Sequence, residues 1–127
     1  MTAIVTDKGL EIIANRIKGN LTEPLKIAWG TGTTAPVVGD TALETEDTTG
    51  GYARVDGVSS IVTVSSTNDT YQVSGAITAR AALTITEWGL FDSAGNLLCR
   101  EVNAAGYIMP VGATLSFVFK IKLSRCV

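Results

Sequence analysis

The side chains able to do chemistry in this chain are few, and none of its 127 residues is a histidine. That removes the commonest general base, the commonest zinc ligand and every histidine-based triad. Glu87 and Asp92 could act as a hydrolase's paired carboxylates. A hydrolase site is usually lined with aromatics, however, and only 6% of residues are aromatic. Structural roles are expected instead: Asp92 as a turn former and Glu87 as a hydrogen-bonded strand residue. Gly30-Thr31-Gly32 invites a phosphate-loop reading but lacks the spacing of either nucleotide fingerprint, and no Lys-Ser or Lys-Thr follows it. Asp40, Glu44, Glu46 and Asp47 could gather calcium, yet their spacing departs from the EF-hand loop. A plain acidic surface loop is expected there. No catalytic, metal or cofactor residue is nominated, so the expectation is a protein that is not an enzyme.

Cys99 and Cys126 lie in no Cys-x-x-Cys pair. Buried thiols are expected, with a late disulfide, within the chain or between copies, as the alternative. Lys and Arg are scattered singly and the net charge is -2, so no basic stripe exists to neutralise a phosphate backbone. No apolar run approaches the roughly 18 residues that span a bilayer, and the N-terminus lacks secretory signal features. Neither nucleic acid binding nor membrane insertion is expected, and synthesis in a cytoplasm is. Mean hydropathy is +0.29. Either a β core rich in Ala, Val and Ile raises it, or apolar surface is covered by another copy or another protein.

The elements that must position these residues begin with a helix over 6–18. There Leu10, Ile13, Ala14 and Ile17 share a face, Thr6 or Asp7 caps the start, and Gly19-Asn20 suits a left-handed stop. A helix this short needs a sheet to pack against. A strand over 25–29 follows, then a polar loop over 30–51 broken by its glycines and Pro36, with room for one helical turn near Thr41–Glu44. Residues 52–123 read as an antiparallel β body. Tyr52–Ser65 forms one long strand or two joined near Gly57, and Thr70–Ala79 returns as its hairpin partner. Leu83–Phe91 and Leu97–Val102 flank a tight turn at Asp92–Asn96, where Gly95 supplies positive φ. After a loop with Gly106, Pro110 and Gly112, Thr114–Leu123 alternates cleanly, with Leu115, Phe117, Phe119, Ile121 and Leu123 on one face. The fold class expected over 1–127 is a mostly-β single domain, an antiparallel sandwich with one N-terminal amphipathic helix packed on it.

Two segments carry a resemblance. One runs Lys26-Ile-Ala-Trp-Gly-Thr-Gly-Thr-Thr-Ala-Pro36 and continues with Thr41, Ala42, Leu43 and Glu46. The other runs Ile85-Thr-Glu-Trp-Gly-Leu-Phe-Asp-Ser-Ala-Gly-Asn-Leu-Leu-Cys-Arg100. Together with the Gly9-Leu10 step they resemble the domain at the start of phage tail-collar fibre proteins and small free-standing phage virion proteins. The residues that match are Gly30, Gly32 and Pro36 in the turn, then Glu87, Gly89, Asp92 and Gly95 in the hairpin, with Ile85, Leu90 and Phe91. Trp88 is bulkier than the family pattern leads one to expect, and fibre-forming members continue beyond this domain.

The resemblance implies a structural protein of a tailed phage virion, made in the host cytoplasm, with no cofactor. Its partners would be other virion proteins. As a collar-type tail, baseplate or fibre-attachment module it would meet tail proteins; as a capsid decoration protein, the alternative, it would cement the major capsid protein. A glycan-binding adhesin is the remote alternative. A homo-oligomer is expected, preferably a trimer, by analogy with fibres and decorations. Trp88 and Leu90 lie on one strand face and Phe91 on the other. If both faces are covered, the hairpin sits between packed layers or at a subunit contact. Trp88, Leu90, Phe91 and the apolar run Tyr107, Ile108 and Met109 are therefore the candidate contact residues.

Overall fold

The alternation that marks Thr114–Leu123 in the sequence governs the architecture. A strand with one apolar face must bury it, and here it does so against a second sheet. The computed structural model describes residues 2–19, 22–48 and 54–124. In chain order these form β1 (Thr2–Val5), α1 (Asp7–Lys18), β2 (Lys26–Gly30), β3 (Val55–Asp56), β4 (Val58–Val62), β5 (Thr70–Thr78), β6 (Leu83–Phe91), β7 (Leu97–Met109) and β8 (Thr114–Lys122). Every strand pairing is antiparallel. One sheet has the order β1-β7-β6-β2-β3 and the other β4-β5-β8, so the mostly-β sandwich with one N-terminal helix is the observed fold.

The inter-sheet core takes Ile27, Trp29, Ile85, Trp88 and Leu90 from the five-stranded sheet. Val73, Ile77, Phe117, Phe119 and Ile121 meet them from the three-stranded one. Phe117 is the hub, with ring centroids 6.4 Å from Trp29, 5.8 Å from Trp88 and 6.3 Å from Phe119. Such pairs add about 0.5–1.5 kcal/mol each beyond the area they bury. On β8 the opposite residues Thr114, Ser116, Val118, Lys120 and Lys122 are exposed, as the alternation requires. Leu123, placed with the apolar face in the sequence, lies one residue past β8 and is exposed.

The expected segment over Tyr52–Ser65 divides at Gly57, and its halves join different sheets: β3 pairs with β2, and β4 pairs with β5. A Cβ at Gly57 would meet the Val73 side chain, so the crossing runs tight against the core. Tyr52 itself lies outside the described residues. Asp69 closes the β4–β5 hairpin by accepting the amides of Val64, Ser65 and Ser66. These bonds hold its carboxyl well below the usual range.

Thr6 caps α1, its Oγ1 accepting the Gly9 amide at 2.9 Å, and Gly19 ends it at φ 92°. The helix is rotated relative to the expected face. Ile12 is buried and Leu10 is exposed, because Gly9 rests on the Leu98 carbonyl with no room for a Cβ. That backbone approach turns residue 12 inward. The side chains of Ala14 and Ile17, and Asn20, lie outside the described residues.

Two further expectations give way. β7 continues past Val102 through Tyr107 and Ile108 to Met109, where a loop was expected, by absorbing an irregularity: Glu87 faces Val102 but Ile85 faces Tyr107. Gly106, at φ 72°, allows that bulge. The segment Thr41–Glu44 forms no helical turn.

Candidate functional site

The outer face of the five-stranded sheet, away from β8, is built from small residues and one charged pair. Ala28, Phe91 and Leu97 form a satellite cluster there with Leu43. Gly30 and Gly89 give that face a floor without side chains: a Cβ at Gly30 would strike the Thr45 carbonyl, and one at Gly89 would meet Leu43. The loop over 31–48 lies on this floor. Trp88 and Leu90 therefore enter the inter-sheet core while Phe91 enters the satellite cluster, and the hairpin is covered on both faces within one chain. The Arg54 guanidinium stacks 3.6 Å over the Phe91 ring.

Glu87 is fully buried at the centre of this contact. Its Oε2 accepts the Gly32 amide at 2.6 Å and the Thr45 amide at 2.9 Å. Its Oε1 accepts the Glu44 amide at 2.8 Å and Arg100 Nε at 3.1 Å. Arg100, 3% exposed in its side chain, also donates from Nη1 to Asp40 Oδ2 at 3.0 Å and from Nη2 to the Thr34 carbonyl at 3.1 Å. Thr86 Oγ1 donates to the Gly32 carbonyl at 2.7 Å. One carboxylate thus binds residues 32, 44 and 45 to residue 87, beside the backbone bonds from the Thr31 amide to the Thr45 carbonyl and from the Asp47 amide to the Trp29 carbonyl. Both charges are desolvated, which is tolerable only because each finds several partners.

This geometry defines what the site can do chemically. With four donors on its two oxygens, Glu87 has no free lone pair aimed at a substrate. It acts as a hydrogen-bonded strand residue, the structural role expected of it. Asp92 likewise forms a turn, accepting the amides of Ala94 and Asn96 on Oδ1, with Gly95 at φ 87°. Pro36 is buried in the same loop.

The acids lie on a surface loop, as expected, with Glu44 exposed, and each is held by a partner. Asp40 binds Arg100 and caps the Val37 amide. Glu44 accepts the Thr34 amide; hydrogen bonds from Thr34 hold its carboxyl below its ordinary value, with Arg100 contributing less. Glu46 forms a two-bond pair with Arg54, and Asp47 accepts Trp29 Nε1. Every acid has a partner, Asp40 and Glu44 both reaching Arg100, and among the described residues no group of three potential ligands could hold a metal.

Of the six candidate contact residues, the chain's own core takes Trp88, Leu90, Phe91 and Met109. Leu90 and Phe91 have no exposed surface left for a partner. Tyr107 and Ile108 remain outside, at 41% and 84% exposure. Tyr107 packs on Trp88 with centroids 5.9 Å apart, and with Leu115 and Phe117 these rings line a groove of about 250 Å³ along β8. A second groove, of about 350 Å³, runs between α1 and the end of the three-stranded sheet, lined by Ile12, Ile13, Tyr71 and Ile121. The loop also presents Val37 and Val38 to solvent, held against the helix start by the Asp7 amide on the Val38 carbonyl.

Arg100 was not singled out from the sequence as a partner for Glu87. The available signal was the hairpin register: with a turn at Asp92–Asn96, Gly89 faces Arg100 and Glu87 lies two residues away on the same face. Cys99 is a buried free thiol, as expected; Cys126 lies outside the described residues. No family model, curated protein or solved structure matches the chain.

Proposed function

We propose that this protein is a structural component of a tailed phage virion, a collar-type tail, baseplate or fibre-attachment module that works by packing against neighbouring subunits. One observation carries the reading. The two segments that resemble the collar-fibre domain are far apart in sequence, yet they lie together, Lys26–Gly30 pairing with Glu87–Phe91 and Glu87 of the second segment accepting the amides of Gly32, Glu44 and Thr45. The residues shared with that domain are those a clamped loop requires: glycines for the floor, a buried acid for the clamp, and a tight turn behind it. A chain built in this way presents a rigid surface, with Val37 and Val38 on the clamped loop and Ile108 and Val111 at the far end.

Rigid, preorganised surface is what repeated assembly contacts need, because less ordering entropy is lost on docking. Contacts too modest to hold one pair of subunits become strong when repeated about a symmetry axis. Quantitative mass spectrometry of purified particles tests the reading. A handful to a few dozen copies per particle supports the tail or baseplate module. Hundreds of copies would move the protein to the capsid as a decoration protein, and absence from particles would remove the virion reading.

A further inference from the structure

We infer that the free edge of β8 is a self-association surface, on which two copies of this chain pair antiparallel about a twofold axis at Val118. The inference rests on the strand geometry alone and does not require the virion reading.

The three-stranded sheet ends on β8, which pairs with β5 and, among the described residues, with no other strand. The direction of its backbone groups follows from two hydrogen bonds in the same register, Ala79 N–H to the Ala113 carbonyl and Leu123 N–H to the Asp69 carbonyl. These place the odd-numbered residues of β8 in bonds to β5. Thr114, Ser116, Val118, Lys120 and Lys122 therefore turn their N–H and C=O groups to the open edge. The other edges are poorer templates. β1 has four residues and β3 two. On β4, the register with β5 leaves only Ser59 and Ile61 facing outward. β7 is bulged at Gly106 beyond its pairing with β1.

A second copy is the occupant that fits, because full overlap of β8 with itself selects one register. Val118 faces Val118 of the second copy as a hydrogen-bonded pair. Ser116 faces Lys120 of the second copy, and Thr114 faces Lys122. Lysines on an edge strand usually deter pairing, but in this register no lysine faces a lysine. The two Lys120 side chains stand four residues apart along the strands, roughly 13 Å at the antiparallel rise, beyond the ~8 Å Debye length at physiological salt. Registers centred on Lys120 or Ile121 would bring like charges together and are disfavoured. On the inner side Phe117 faces Phe119 of the second copy. The aromatic row continues across the axis, and the groove lined by Trp88, Tyr107 and Leu115 beside the edge is covered. One edge pairing with its own copy is isologous and closes at two, so this contact gives a twofold pair and not the threefold assembly expected by analogy.

Sedimentation equilibrium of the full chain tests this. The mass should rise with concentration from 13.3 kDa toward twice that value. Val118→Lys, which sets two ammonium groups opposite each other at the axis, should weaken the dimer about tenfold or more. Val118→Pro should do the same, since the N–H it deletes bonds nothing within the chain. Val58→Lys, on the same exposed face but at the far edge, should dimerise like the parent. On a Cys126→Ser background, Val118→Cys should cross-link to itself under oxidising conditions and Lys122→Cys should not. Far-UV circular dichroism and melting establish that each variant is folded. A chain that stays monomeric at millimolar concentration overturns the inference, as does a Val118→Lys variant that associates as tightly as the parent, or equal cross-linking at residues 118 and 122. These outcomes are read on purified protein, so they stand apart from whether particles contain it.

Discussion

Replacing Glu87 by Gln is the sharpest test of the clamp, because it keeps the shape and changes only the donor–acceptor balance. Each carboxylate oxygen accepts from two donors, Oε2 from the Gly32 and Thr45 amides and Oε1 from the Glu44 amide and Arg100. Whichever way the new amide is turned, its NH₂ faces two N–H groups that can only donate. One buried and one part-buried donor then lose their acceptor at about 1–3 kcal/mol each, more where Arg100 is one of them. The expected loss is about 3–5 kcal/mol, a large part of the stability of a domain this size, and corresponds to a melting point roughly 10–20 °C lower. Arg100→Met should cost a similar ~3–5 kcal/mol by leaving a buried carboxylate without its cation. The double variant should cost less than the sum by at least ~1.5 kcal/mol, because the fully buried carboxylate and its cation go together and only the part-exposed Asp40 is left without its cation. Urea unfolding of the four proteins gives the cycle, and hydrogen exchange at Gly32, Glu44 and Thr45 reports whether the loop has let go. A Gln variant within ~1 kcal/mol of the parent, with those three amides still protected, would refute the reasoning.

Other consequences can be checked with single variants. Gly32→Ala should destabilise by about 2–4 kcal/mol, since its Cβ would collide with the Glu87 carboxylate. Gly39→Ala, in open space on the same loop, should be neutral within ~0.5 kcal/mol by urea unfolding; equal effects at both positions would remove the close-approach argument. Burial pushes the Cys99 thiol up to about 12, with Glu101 adding to the shift and a hydrogen bond from Leu90 opposing it. On a Cys126→Ser background iodoacetamide should therefore label it at mildly alkaline pH no faster than the chain unfolds, and rapid labelling of the native protein would contradict the burial. Asp69 has a depressed carboxyl pKa through its bonds to Ser66, Val64 and Thr70. Its contribution is present above the unfolded value and is lost only as pH falls through the lower folded one. The amide resonances of Val64, Ser65 and Ser66 should hold their positions through pH ~3.9, where ordinary aspartates titrate; a transition there would show the carboxylate is not so bound.

The strand with strict alternation was legible in the sequence because a period of two has one solution for which face is buried. It was expected over Thr114–Leu123 and ends one residue earlier, at Lys122, while Leu83–Phe91 has the expected bounds although it is buried on both faces. β1 was not legible, since four residues, Thr2–Val5, are too few to establish a period, and their strand state depends on pairing with Val102 through Cys99, which no local signal encodes. The continuation of β7 through Tyr107 was hidden by Gly106 and Pro110, which punctuate a sequence whether the chain turns or merely bulges. The helix face was misread by one position because Leu10 is more apolar than Gly9, while the packing rewarded the residue with no side chain. Around the clamp, the glycines, Glu87 and Asp92 could be read from their types. The duties of Arg100, Asp40 and Glu46 could not, because each depends on a partner brought near by tertiary folding. The same acids that count as charge in a composition act as hydrogen-bond acceptors once a loop is laid over a sheet.

The pairing of Thr2–Val5 with Val102–Cys99 also sets an order of events on the ribosome. At 5–20 residues per second, the segment that will become β1 emerges on the order of ten seconds before the strand that receives it. For that interval Ala3, Ile4 and Val5 are an unpaired apolar end, and β6 likewise waits for its turn and return strand. β1 therefore cannot take its place in the sheet before β7 is available to receive it. Nascent chains halted before residue 99 should leave Thr2–Val5 open to proteases, and chains long enough for residues 99–102 to have left the ribosome should not.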